Sequence, residues 1–183
     1  MKRDAKLAAS LLLAAASISI AACSAQGSGT NPGDSVLVEG AQHVIWKNSG
    51  GGFGGLPPAG AACGLGNASY DWDVGAGSLS WGVCTVAGNN YNDPTAYSTV
   101  TGSRVLTADE RTQATTDARA VKVTSNNNCG ADKPSLTLEV ATQADSIVYG
   151  DDFYACLKTY EHYVSSGALD QLGQTFGGMA HSP

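Results

Sequence analysis

The chain is short of the residues from which catalytic and metal sites are usually built. Its three histidines, His43, His162 and His181, are scattered and form no H-E-x-x-H or similar spacing. No G-x-S-x-G elbow presents a serine nucleophile. Five cysteines are present, but none are spaced C-x-x-C, and no histidine is close enough in sequence to complete a zinc signature. Charge is sparse, at 14% of 183 residues, and the basic residues are the scarcer, with 10 Lys+Arg against 16 Asp+Glu. The lack of basic clusters argues against nucleic acid and anionic lipid headgroups as partners. Net acidity by itself favours little beyond solubility. There is also no internal repeat at solenoid or propeller period.

The one long apolar run opens the chain. Lys2, Arg3 and Lys6 form a basic start, and Leu7 to Ala22 is apolar apart from small serines. That pattern reads as an export signal, too short to span a membrane comfortably. Its end, Ile20-Ala21-Ala22-Cys23, resembles the lipobox of bacterial lipoproteins. The resemblance implies cleavage before Cys23, thioether lipidation of that cysteine and acylation of the new amine. Two or three acyl chains make a lasting anchor where one is marginal. Ser24, rather than an aspartate, resembles the signal that sends such proteins to the outer membrane. The partner implied is the membrane itself, through the lipid.

Removing residues 1–22 takes away Lys2, Arg3, Lys6 and Asp4, leaving 161 residues with 7 basic and 15 acidic side chains. That is enough for one domain with a real core. Once Cys23 is assigned to lipid, Cys63, Cys84, Cys129 and Cys156 remain, an even set that reads as two disulfides in an oxidising compartment. Three pairings are possible. Cys63–Cys84 and Cys129–Cys156 are favoured because each flanks a local unit, closing loops of about 20 to 30 residues worth about 3 kcal/mol apiece.

Residues 23–34 are small, polar and turn-forming, and read as a flexible tether to a single domain over 35–183. Val36-Leu37-Val38 and His43-Val44-Ile45-Trp46 suggest short strands. Glycine and proline in 49–62 exclude regular structure there. Tyr70, Trp72 and Val74 alternate with Asp71 and Asp73, a turn follows, and Leu79 to Val83 alternates again, predicting a hairpin. Trp72 and Trp81 fall on its apolar faces and read as core more readily than as a sugar-binding platform. Cys84 should point away from Trp81. Tyr97 to Leu106 suggests another strand.

Thr107-Ala108-Asp109-Glu110 is a capping box, predicting a helix from Ala108 with Ala114, Ala118 and Val121 buried. Leu136, Leu138 and Val140 alternate as a half-buried strand, with Ser146–Tyr149 as its partner. Leu169, Leu172, Phe176 and Met179 share one face of a last helix, which Gly173, Gly177 and Gly178 weaken. Fold class is therefore α+β, an antiparallel sheet with one or two packed helices and two disulfides.

Three chemical readings fail. The run Gly50-Gly51-Gly52-Phe53-Gly54-Gly55 formally contains G-x-G-x-x-G, but Pro57 and Pro58 occupy the place of the helix a dinucleotide needs, so no cofactor is expected. Asp71/Asp73 and Asp151-Asp152 lack the spacing of a calcium loop, so no metal is expected either. A solvated strand face suits the first pair, and a turn or helix N-terminus the second. Asn67-Ala68-Ser69 is a glycosylation sequon, discounted because a lipobox implies a bacterial source.

One pattern reaches further. A strand ending in Ser49-Gly50-Gly51-Gly52-Phe53-Gly54-Gly55, then a capped helix, an alternating strand after Cys129-Gly130-Ala131-Asp132-Lys133, and a final helix follow in order. That order resembles the emfourin group of small bacterial inhibitors of thermolysin-type metalloproteases, which carry S-G-G-F-x-G after the first strand. The resemblance implies a non-catalytic protein with a binding loop at Gly51, Gly52, Phe53, Gly54 and Gly55 and a protease partner. The expected function is an envelope-anchored binding module, with protease inhibition as its sharper form. A small structural lipoprotein of the outer membrane is the alternative and an enzyme of unknown class the third reading. Oligomeric state is open.

Overall fold

The computed structural model describes residues 28–50, 56–130 and 133–182. Strands β1 (Ala41–Asn48), β2 (Ala68–Asp73), β3 (Ser78–Val86) and β4 (Tyr97–Val105) come first, followed by helix α1 (Ala108–Ala120) and the short β5 (Val123–Thr124). Then come β6 (Leu136–Thr142), β7 (Ser146–Asp151), a 3-10 segment over Asp152–Leu157, β8 (His162–Val164) and helix α2 (Ser166–Ala180). They form one eight-stranded sheet in the order β4-β3-β2-β1-β6-β7-β8-β5.

The pairings are antiparallel except β7 with β8, which run parallel. The fold is thus α+β as the alternation predicts, but the sheet is mixed. The parallel pair exists because the 3-10 segment and the Cys129–Cys156 bridge carry the chain back across the end of β7 instead of turning it in a hairpin. Neither β5 nor β8 has a run of alternation long enough to see in sequence. Val36 is buried without belonging to a strand, and Ser35 makes only an isolated bridge to Lys122.

Alternation sorts the sheet into two faces. Val44 sits opposite Trp72 and Val140, and Trp46 opposite Tyr70 and Leu138. These side chains, with Leu79, Leu136 and Tyr149, face the helices and form the core. The other face carries His43, Lys47, Ser69, Asp71, Ser80, Thr137 and Glu139 and has no helix over it among the described residues.

Helix α2 lies on the core face through Leu169, Leu172, Phe176 and Met179, the four residues whose spacing predicts its buried side. Gly173 has a use beyond weakening the helix. A Cβ there would fall 2.4 Å from the indole of Trp46, so only glycine lets helix and ring approach this closely. Trp46 Nε1 then donates to Leu169 O at 2.9 Å. Helix α1 begins at Ala108 with the capping box intact and packs beside α2 through Ala114 and Ala118, whose small side chains allow close contact. Arg104 of β4 ties the layers together, pairing in bidentate fashion with Glu110 at 3.0 and 3.1 Å and donating to Met179 O at 2.7 Å.

Residues 28–34, within the stretch read as a tether, lie against the domain. Gly33 N donates to Val123 O at 2.8 Å and Tyr149 Oη to Gly29 O at 2.7 Å. Burial, and then the charge of Asp34, pushes the Tyr149 hydroxyl up to about 12. No described helix is long and apolar enough to cross a membrane.

Candidate functional site

Both disulfides pair as favoured, Cys63 with Cys84 and Cys129 with Cys156. Cys23 and the loop residues Gly51, Gly52, Phe53, Gly54 and Gly55 lie outside the described residues.

The base of that loop is fastened on both sides. Ser49 N and Ser49 Oγ both donate to Ser135 O at 3.1 Å, and Gly50 N donates to Asn48 Oδ1 at 2.9 Å. Gly50 has φ of 73° and could not carry a side chain, because a Cβ would fall 2.2 Å from Asn67 Oδ1. That oxygen is buried and has no partner among the described residues. Beyond the loop, Leu56 is 95% exposed, Pro57 and Pro58 follow, and Ala61 N closes a turn on Pro58 O at 3.0 Å. The Cys63–Cys84 bridge then pins this segment to the open face of β3, the side away from Trp81 that alternation predicts for Cys84.

The loop base sits between two hollows, one on each face of the sheet. The hollow on the helix side, about 270 Å³, is lined by Trp46, Asn48, Tyr70, Lys133, Asp170 and Gln174 among others. The one on the open side, about 330 Å³, includes Lys47, Asn48, Asn67, Ser69, the Cys63–Cys84 bridge and Thr99. Asn48 and Ala68 border both. Burial raises the Tyr70 phenol in the first.

Lys133 anchors the helix-side wall. Its ammonium lies 3.1 Å from Asp151 Oδ2, 3.3 Å from Asp170 Oδ2 and 2.6 Å from Ser166 Oγ, and 5.6 Å from the Phe153 ring centroid. Asp151 is buried and accepts from Phe153 N at 2.9 Å and from Ser166 Oγ, while Asp152 accepts from Ser166 N at 3.0 Å. The two aspartates therefore hold the 3-10 segment and the start of α2, the helix-terminus role their sequence suggests. Lys133 gives no signal in the sequence, because its partners lie 18 to 37 residues further on and meet it only through folding.

The histidines stay apart. His43 Nδ1 lies 2.9 Å from Asp71 Oδ1 on the open face, and this hydrogen bond raises the imidazole above its ordinary 6.5. The His162 ring lies tilted beside Tyr149, 6.2 Å between centroids, and His181 Nδ1 meets Gly177 O at 2.8 Å. Asp73 Oδ1 accepts from Ala76 N at 2.7 Å in the hairpin turn. No three His, Cys, Asp or Glu side chains among the described residues are grouped to hold a metal ion. Trp72 is buried as core and Trp81 half-buried. Comparison of the chain with family models, with curated proteins and with solved structures finds no significant match.

Proposed function

We propose that this chain is a non-catalytic binding module held at the bacterial envelope by lipid on Cys23, engaging a protein partner through the sheet end that carries residues 50–58. The observation that carries the reading is Leu56, an almost fully exposed leucine beside Pro57-Pro58, on a segment fastened by Ser49 at one end and by the Cys63–Cys84 bridge at the other. Fastening the described residues on either side lowers the entropy that docking Leu56 costs, which is how inhibitors gain affinity from few contacts. The hollows on either side offer a partner's side chains somewhere to dock. The run Ser49 to Gly55, which resembles the emfourin S-G-G-F-x-G motif with one more glycine, favours a thermolysin-type metalloprotease as the sharper form of the partner, with Phe53 and Leu56 as apolar anchors.

The test uses the full chain in detergent against thermolysin-type enzymes. Leu56→Ala should weaken inhibition while leaving the melting temperature unchanged. Phe53→Ala should do the same. If instead it costs the several kcal/mol typical of a buried phenylalanine, about 3–5, Phe53 belongs to the core. Failure of the wild type to inhibit any such enzyme removes the inhibitor and leaves only the broader module. For the anchor, Cys23→Ser should abolish labelling by a fatty-acid probe, and the wild type should fractionate with the outer membrane. Persistent labelling of the variant defeats the lipid assignment.

A further inference from the structure

The sheet has two unlike edges. At one end β5 is only two residues long, the short edge strand by which proteins discourage unwanted pairing. At the other end β4 runs for nine residues, Tyr97–Val105, with unbroken register along β3 and no proline. Its only charged residue, Arg104, is drawn inward to Glu110 and Met179 O, so its charge does not guard the edge. Among the described residues no strand pairs with the outer side of β4.

Leu106 N donates to Gly77 O at 2.8 Å. In an antiparallel ladder bonded and non-bonded positions alternate, so the even residues of β4 bond to β3. The odd ones, Thr99, Thr101, Ser103 and Val105, therefore turn their amide groups outward. A strand laid antiparallel on this edge meets a row of free donors and acceptors.

We propose that this partner is β4 of a second copy of the chain, paired about a two-fold axis through Thr101. In that register Thr101 faces itself, Thr99 faces Ser103, and Val105, 70% exposed, faces Tyr97. Hydroxyl pairs of this kind are favourable across strands; Tyr97 is buried and its N–H is spent on Pro94 O, so the new ladder rests on Thr99, Thr101 and Ser103. Arg104 faces Ser98, so no like charges meet. On the helix side Val100, 52% exposed, faces Gly102. A Cβ on Gly102 would lie 2.4 Å from the Trp81 ring, so the indole covers that glycine and reaches the edge. Each copy's Val100 then packs against the other's Trp81, and the two sheets join into one of twice the width. The strand complements itself residue by residue, which distinguishes a second copy from an unrelated extended peptide.

The experiment is oxidation of the full chain in detergent carrying Thr101→Cys. On the two-fold axis the facing α-carbons of a hydrogen-bonded pair lie about 5.5 Å apart, within disulfide reach. The expected result is a reducible covalent dimer from Thr101→Cys and none from Ser98→Cys, whose two copies would lie roughly 20 Å apart in this register. Equal linkage of both variants, or of neither, overturns the register. By sedimentation, Val100→Lys should weaken self-association by roughly tenfold or more with unchanged circular dichroism. A wild type that sediments as a monomer at all concentrations, or a folded Val100→Lys variant that associates like it, overturns the proposal.

Discussion

Gly173 offers a substitution whose two effects oppose each other. Replacing a mid-helix glycine with alanine ordinarily stabilises a helix by about 1 kcal/mol. At this position the new Cβ would lie 2.4 and 2.6 Å from Cζ2 and Cε2 of Trp46. The ring has little room to retreat, being 6% exposed and tilted against Tyr70 at 5.6 Å between centroids. Cε2 is also bonded to Nε1, so displacing it stretches the 2.9 Å bond to Leu169 O. Overpacking of this kind costs about 1–3 kcal/mol, and the weakened hydrogen bond about 1 more. Gly173→Ala should therefore destabilise by about 1–3 kcal/mol, lowering the melting temperature by roughly 3–10 °C for a domain of this size. Gly178→Ala is the control, since a Cβ there meets nothing within 4 Å and the residue is exposed. It should raise the melting temperature slightly. If Gly173→Ala melts with or above the wild type, the close helix–indole approach is not what fixes glycine at 173.

The His43 imidazole should titrate above 6.5 by NMR, and Asp71→Asn should bring its midpoint back down. Because the folded value is raised, the pair's stabilisation is fully present below about 6.5 and is lost as pH rises through the folded midpoint. A midpoint at or below 6.5 in the wild type would contradict the pairing. Lys133→Met should destabilise by about 2 kcal/mol or more in urea denaturation, since it strands the buried carboxylate of Asp151. Asp170→Asn, at a half-exposed partner of the same lysine, should cost less than about 1 kcal/mol. Equal losses from the two would mean that burial of Asp151 does not decide the outcome.

Much of the fold was legible because it rests on short-range rules. The alternation at Tyr70–Val74 and Leu79–Val83 gives the hairpin and its core face, and Thr107 with Glu110 marks the start of α1 to the residue. The spacing of Leu169, Leu172, Phe176 and Met179 gives the buried side of α2. Local flanking also selected the disulfide partners. What escaped depends on residues far apart in sequence. β8 is three residues long and exists only because β7 and the 3-10 segment bring it alongside. Lys133 joins Asp151, Ser166 and Asp170, none of which neighbours it within a helix or strand. The His43–Asp71 pair needs the β1–β2 register before it can be seen. Glycine at 173 reads as helix-weakening until Trp46 is placed against it.

The docking of Gly29 and Gly33 changes how an anchored form of this protein would move. With lipid on Cys23, six residue steps separate the anchor from Gly29, the first described residue bonded to the domain. Fully extended, six steps reach only about 21 Å, close to the radius of a globular domain this size. A leash no longer than the body it holds cannot let that body swing clear of the surface. The domain would ride against the headgroups with its choice of tilt restricted. Any partner would have to come to it along the membrane or from the one hemisphere left open. Lengthening that leash with a glycine–serine insert before Ser28 would then widen the range of targets within reach without altering a single contact in the fold.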